Sequence, residues 1–352
     1  MSWQQPQIQS YTFMFLRVPR ACSIIASAAN CRPPRPFTRS LTTATKTMLD
    51  PTQPVHWILD WDGTISQHDT LDALVSISAS AKPGSPVLDE WNRVSEAYVS
   101  DYTAAIARLA PEGNLPKTIQ KEKLLLHALK SVEQASLDRV SSSGIFAGLT
   151  RKLLGEGTNE LIKSKRVEIR PGFTEFLGFS QTRGNDHMNL LSVNWSRYFI
   201  DCCLGAAGAT IQRDSIYANE LDGIECGSVS HGQIGPSSDA DMLIISSGDK
   251  LEHMDRLRKQ HHESRNSNAA LSTPAVYVGD SWTDIECLLE ADLGICIRDE
   301  PLSSSQKKLS ERLQSLGVRC PHLSAWSESD AVQVVWARNF HEIKEWVQMR
   351  KT

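Results

Sequence analysis

The chain has 352 residues, 40% hydrophobic and 22% charged, with a net charge of -4. That length holds one large α/β domain with an insertion, or two domains. The mild negative charge argues against nucleic-acid or membrane-surface partners, and no apolar run approaches the ~18 residues needed to span a bilayer.

The eight cysteines make no C-x-x-C pair. This argues against zinc and thioredoxin-like sites and for free thiols in a reducing compartment. The first 49 residues contain no Asp or Glu and carry Arg17, Arg20, Arg32, Arg35, Arg39 and Lys46 among many Ser, Thr and Ala. That is the composition of a mitochondrial transit peptide. Pro6, Pro19, Pro33, Pro34 and Pro36 oppose a long amphipathic helix there. Residues 1–50 are therefore expected to be a disordered or targeting extension outside the fold. The expected compartment is the cytoplasm, or the mitochondrion if the extension acts as an address.

The fold opens with His56-Trp57-Ile58-Leu59-Asp60-Trp61-Asp62-Gly63-Thr64. Trp57 to Leu59 read as a buried strand stopped by turn residues. If Asp60 and Asp62 extend it, both carboxylates face one site and Trp61 faces away. Two like charges that close repel by roughly 1 kcal/mol in water and about 4 at an effective dielectric of 20. A divalent cation is the usual compensation. Gly63 allows a sharp turn, and Thr64 adds a hydroxyl.

A helix is predicted from Asp69, as cap, through Val75, broken at Lys82 to Pro86. Leu88, Trp91, Val94, Tyr98, Tyr102, Ala105, Ile106 and Leu109 mark an amphipathic helix. Lys117 to Val132 repeats the pattern, with Lys117, Lys121, Lys123 and Lys130 on a solvated face. Short helices are expected over Leu137 to Lys163. Residues 69–168 thus read as an all-helical insertion, with 55–68 and 169–350 forming the core.

From Arg170-Pro171-Gly172 onward the pattern alternates. A helix over Thr174 to Thr182 precedes a strand over Leu190 to Val193 and a helix over Trp195 to Leu204. Strands follow at Ser215 to Ala218 and Met242 to Ile245, then a helix over Lys250 to Gln260. Ala275 to Val278 is a strand ending at Gly279-Asp280, followed by a helix over Asp284 to Ala291 and a strand over Leu293 to Ile297. Helices at Ser303 to Leu316 and around Phe340 to Trp346 close the chain, and the Ser-rich pieces 141–143, 226–238 and 264–273 read as loops. Alternation of this kind predicts a parallel sheet with helices on both faces, whose ligands bind beyond the carboxyl ends of the strands.

A second acidic cluster, Gly279-Asp280-Ser281-Trp282-Thr283-Asp284, follows such a strand. Helix capping by Asp280 or Ser281 would explain it alone. Beside a first strand ending in D-x-D, it reads as part of one hard oxygen site suited to Mg²⁺. Lys250, at a predicted helix start, and Ser192 and Asn194, near a strand end, offer positive charge and donors to a phosphate.

In this order, D-x-D-G-T, a strand-ending Ser or Asn, a Lys and G-D-S-x-x-D resemble the four motifs of the haloacid-dehalogenase-like (HAD) hydrolase superfamily over residues ~55–300. The helical insertion resembles that family's C1 cap. Arg170-Pro171-Gly172 and Tyr217-Ala218-Asn219-Glu220-Leu221 resemble segments of its phosphoserine-phosphatase-like branch. The resemblance implies a Rossmann-like core, a Mg²⁺ ion and hydrolysis of a small phosphorylated metabolite. By position, Asp60 would be the nucleophile and Asp62 the acid/base. Asp60, Asp62 (through its carbonyl), Asp280 and Asp284 would hold or support the metal. Lys250, Thr64 and Ser192 or Asn194 would bind the phosphate. The second motif departs from the family pattern, because Ser192, Asn194 and Ser196 all compete for one position. The rival expectations are a phosphotransferase or phosphomutase using the same chemistry, and a non-catalytic regulator that kept the fold.

Overall fold

The computed structural model describes residues 53–238, 242–264, 273–326 and 333–349. The proposed extension at 1–50 and most of the 264–273 loop lie outside them. No helix among the described residues is long and apolar enough to cross a membrane.

Six parallel strands form the main sheet: β1 (His56–Leu59), β2 (His187–Leu191), β3 (Ile216–Tyr217), β6 (Ala275–Gly279), β7 (Leu293–Ile297) and β8 (Val334–Ala337). Their order is β3-β2-β1-β6-β7-β8. This is a doubly wound, Rossmann-like sheet that reverses direction between β1 and β6, where such sheets open a crevice for ligands. The central strands are buried along their whole length, as expected when helices cover both faces.

Alternate residues of each strand feed two cores. Trp57, Leu59, Val276, Val278 and Ile295 pack with α5 (Phe173–Thr182), α6 (Arg197–Ala206) and α10 (Phe340–Met349). Ile58, Tyr277 and Cys296 pack with α7 (Ser247–Ser264), α8 (Ile285–Glu290) and α9 (Ser304–Ser315).

Four helices are inserted between β1 and β2: α1 (Leu71–Ala81), α2 (Val87–Leu109), α3 (Ile119–Ser142) and α4 (Arg151–Lys163). The chain leaves and re-enters the core through a zipped neck. Ser66 bridges Ile169 in antiparallel fashion, Gln67 N–H donates to the Glu168 carbonyl, and Arg170 N–H donates to the Ile65 carbonyl.

Several expectations need correction. The helix expected to stop at Val132 runs on to Ser142, because no breaker intervenes before Gly144. The 141–143 piece is therefore largely the end of α3, and of the short helices expected over Leu137 to Lys163 only α4 is separate. The N-cap of α1 is Thr70, while Asp69 Oδ1 accepts from Leu71 N–H. β2 ends at Leu191, two residues early, because Ser192 turns back to receive the Asn194 N–H. Met242 to Ile245 is not a strand. Asn219 supplies its hydrogen bonds instead, accepting from Ile244 N–H at 2.9 Å and donating to the Ile244 carbonyl at 2.8 Å. A small antiparallel pair, β4 (Asn219–Leu221) with β5 (Ile234–Pro236), occupies part of the expected 226–238 loop.

Candidate active site

Register brings the two acidic motifs together. Leu59 pairs with Leu190 on one side and with Val278 on the other. Asp60 therefore emerges at the carboxyl end of the sheet between Ser192 and Asp280, at the reversal point. Its N–H is still held by the Val278 carbonyl at 2.9 Å.

Asp60, Asp280 and Asp284 are all buried, and each brings a carboxylate oxygen within 4.8 Å of the others. Lys250, fully buried on the first turn of α7, donates to Asp60 Oδ1 at 2.6 Å and Asp284 Oδ1 at 2.7 Å. Asp284 Oδ1 also receives the Tyr277 hydroxyl at 2.7 Å, and its Oδ2 receives the N–H of Ser281 at 3.0 Å. Asp280 Oδ2 accepts from Ser305 at 2.9 Å, but Oδ1 has no hydrogen-bond partner.

Charge in this cluster is unbalanced, three carboxylates facing one ammonium. Burial, and then repulsion from Asp284, push Asp60 up to about 8. The same two causes push Asp280 well above the usual carboxylate range. Asp284 goes the other way: burial opposes its ionisation, but Lys250 and the hydrogen bonds around it outweigh that penalty. An orphaned buried oxygen within a surplus of hard carboxylate oxygens fits a divalent cation such as Mg²⁺.

Two glycines make the crowding possible. Gly63 lies at φ +72°, and a Cβ there would sit 2.4 Å from Asp280 Oδ2. A Cβ on Gly279 would sit 2.5 Å from Asp284 Cγ.

Asp62 is not among the three converging carboxylates. Its Oδ1 accepts from Thr70 N–H at 2.8 Å and the Thr70 hydroxyl at 2.6 Å, and its Oδ2 accepts from Asn194 Nδ2 at 2.9 Å. Thr70 is fixed in turn by the Trp61 indole N–H at 3.0 Å. Trp61 is fully buried, but the strand-like alternation expected of Asp60 and Asp62 does not hold: β1 ends at Leu59 and residues 61–65 turn, which carries the Asp62 carboxylate away from Asp60 to Thr70 and Asn194. Burial, with added repulsion from Asp69, pushes Asp62 up to about 7, against the pull of its hydrogen bonds. A carboxyl group near neutrality can both donate and accept a proton.

The three second-motif candidates divide by their bonds. Ser196 caps α6 through Phe199 N–H and donates to Glu220 at 2.7 Å. Asn194 is spent on Asp62 and Thr70. Ser192, buried at the end of β2, only accepts, from Asn194 N–H at 3.0 Å, so its hydroxyl proton remains available for a ligand. Thr64 Oγ1 is buried with no hydrogen-bond partner.

Two residues outside the expected site also shape it. Thr70 gave no sequence signal beyond its place near a helix start. Arg170 lay in the Arg-Pro-Gly turn. It is buried and donates to the carbonyls of Gly63 at 2.7 Å, Thr64 at 2.8 Å and Gln67 at 3.3 Å, while pairing with Asp299. It clamps the loop that carries the D-x-D motif.

No protein-family model matches the chain. It is similar to a CTO1 family protein of Schizosaccharomyces pombe, with 29% identity over 69% of this chain and 81% of that one. It is also similar to Cold tolerance protein 1 of Saccharomyces cerevisiae, with 20% identity over 73% of this chain and 83% of that one. The Bifunctional TH2 protein, mitochondrial, of Arabidopsis thaliana is 27% identical over 60% of this chain but only 32% of its own length. Among solved structures, a phosphoserine phosphohydrolase-like protein from Francisella tularensis covers 83% of this chain and 98% of its own, with a TM-score of 0.46 and 16% identity. A substrate-bound phosphoserine phosphatase covers 84% and 99%, with a TM-score of 0.45 and 18% identity. Likeness at that level carries no argument about chemistry, which rests on the site itself.

Proposed function

We propose that this chain is a Mg²⁺-dependent phosphatase of the HAD-like kind, acting on a small phosphomonoester. The observation that carries the reading is the division of labour at the β1–β6 crevice. Asp60 is locked by Lys250 beside two further carboxylates, while Asp62, two residues on, is held separately by Thr70 and Asn194.

In this reading an Asp60 carboxylate oxygen attacks phosphorus, the ester P–O bond breaks, and Asp62 gives its proton to the departing alkoxide. Asp62, now a carboxylate, takes a proton from water as that water attacks the aspartyl-phosphate. Inorganic phosphate leaves and Asp60 is restored. Lys250 and Ser192 balance and orient the phosphoryl oxygens. Asp60 and Asp280, with Asp284 in support, would hold Mg²⁺, which when bound offsets phosphoryl charge. The helical insertion would select the substrate and exclude water.

Turnover of p-nitrophenyl phosphate, with and without Mg²⁺, tests this on wild type and Asp60→Asn. Wild type should require Mg²⁺, and Asp60→Asn should lose at least ~10³-fold in kcat. Equal rates for the two proteins would leave the non-catalytic regulator as the better reading. The targeting role of residues 1–49 is a separate proposal, supported by their composition. Imaging those residues fused to a fluorescent protein tests it, mitochondrial accumulation being the expected result.

A further inference from the structure

One inserted helix touches both halves of the site from behind. On α3, Leu125, Leu126, Leu129 and Val132 belong to the same buried cluster as Ile58, Met254, Tyr277, Trp282 and Ile285 of the core. Polar contacts flank this seam. Glu122 is buried at the start of α3. Its Oε1 accepts the Trp282 indole N–H at 2.7 Å, and its two oxygens receive Arg312 at 3.0 and 2.5 Å. Trp282 lies between Asp280 and Asp284.

Eight positions along, hence on the same helical face, Lys130 donates to Asp249 Oδ1 at 2.5 Å. Asp249 is the residue before Lys250. Its other oxygen caps the start of α7, receiving the Ile245 N–H at 3.1 Å and the Ser246 hydroxyl at 2.8 Å. Lys123 adds a third tie, to Glu290 at the end of α8. The lysines expected on a solvated face are therefore in part ion-paired to the core.

We propose that α3 is a positioning strut for the active site, with Lys130 setting the turn that aims Lys250 and Glu122 setting the loop that carries Asp280 and Asp284. The proposal deepens the phosphatase reading and rests on it for its kinetic consequence. Its structural content is independent. Neither residue touches the reacting atoms; both act through a neighbour.

Lys130→Met is the direct test, because the Lys130 side chain is 41% exposed and its removal should not unfold the protein. Hydrogen exchange at the amides of residues 245–250 should accelerate, with urea stability otherwise near wild type. For p-nitrophenyl phosphate, kcat should fall about 10-fold while KM changes less than ~3-fold, and Lys130→Arg should restore both exchange and kcat. Glu122→Gln should accelerate exchange at 280–284 in the same way. Should that variant fail to fold, the Lys130 comparison still decides. Wild-type exchange at 245–250 in Lys130→Met, or no restoration by Lys130→Arg, overturns the proposal. If wild type shows no Mg²⁺-dependent turnover, the phosphatase reading fails, while the exchange measurements still judge the strut.

Discussion

Gly63 shows how little freedom the site leaves to single residues. Its positive φ and the 2.4 Å approach of Asp280 exclude any side chain. Gly63→Ala should therefore cost about 1–3 kcal/mol in urea-unfolding free energy and depress turnover with it. Glu220 supplies a test by pH. It is buried and pushed up to about 7 by desolvation, against hydrogen bonds from Ser196, Tyr198 N–H and Leu221 N–H. A raised carboxyl pKa means that the folded state holds more protons than the unfolded chain between about pH 4.5 and 7. The stability it contributes is then complete below that window and is lost as pH rises through it. Unfolding of wild type and Glu220→Gln across pH 5–8 should show a falling difference in that direction, with the variant lacking the slope. At this scale the acidic residues were legible from sequence because D-x-D-G-T and G-D-S-x-x-D carry their spacing locally. The choice among Ser192, Asn194 and Ser196 was not, because it depends on which partner each side chain meets across 2 to 132 positions of chain.

Among the elements, the loop between β1 and α1 depends on a side chain outside it. Arg170 satisfies three of its carbonyls while paired to Asp299. Arg170→Ala should destabilise the fold by about 2–4 kcal/mol, measured by urea unfolding, because it strands the buried carbonyls of Gly63 and Thr64. Arg170→Lys should not recover the loss, since one ammonium cannot reproduce the guanidinium fork. Strands β1, β2, β3, β6 and β7 were legible because apolar runs bounded by turn residues report burial directly. Met242 to Ile245 misled for the same reason. The run is apolar and partly buried, yet side chains supply bonds that a neighbouring strand would, Asn219 at Ile244 and Asp249 at the Ile245 N–H. The β4–β5 pair was invisible in sequence because strands of three residues carry too little periodicity to read.

Over the whole molecule, the site is a long-range object. Lys250 and Asp60 are 190 positions apart, as are Arg312 and Glu122. The site cannot exist before the sheet closes, so any cation held by Asp60, Asp280 and Asp284 binds the folded chain alone. Millimolar Mg²⁺ should then raise the melting temperature of wild type in a concentration-dependent way, and Asp280→Asn should blunt that rise. Scanning calorimetry at several Mg²⁺ concentrations reads the effect, and equal shifts for both proteins would argue against the assigned ligands.

The zipped neck at Ser66 and Ile169 has a consequence for how this architecture can change. Because the outgoing and returning chains are bridged there, the core meets the whole insertion as though it were a short loop. Loop-closure entropy grows only logarithmically, by about 0.6 kcal/mol for each doubling of length. Helices can therefore be added to the insertion, trimmed or remodelled beyond the neck with little effect on the sheet. Helices α3 and α4 are the exceptions: the apolar face and ion pairs of α3 belong to the core, and α4 packs on α6 while its Arg151 donates to the Ile224 and Glu225 carbonyls. Variation in substrate choice should accumulate in α1 and α2, leaving α3 and α4 as the parts of the insertion least free to drift.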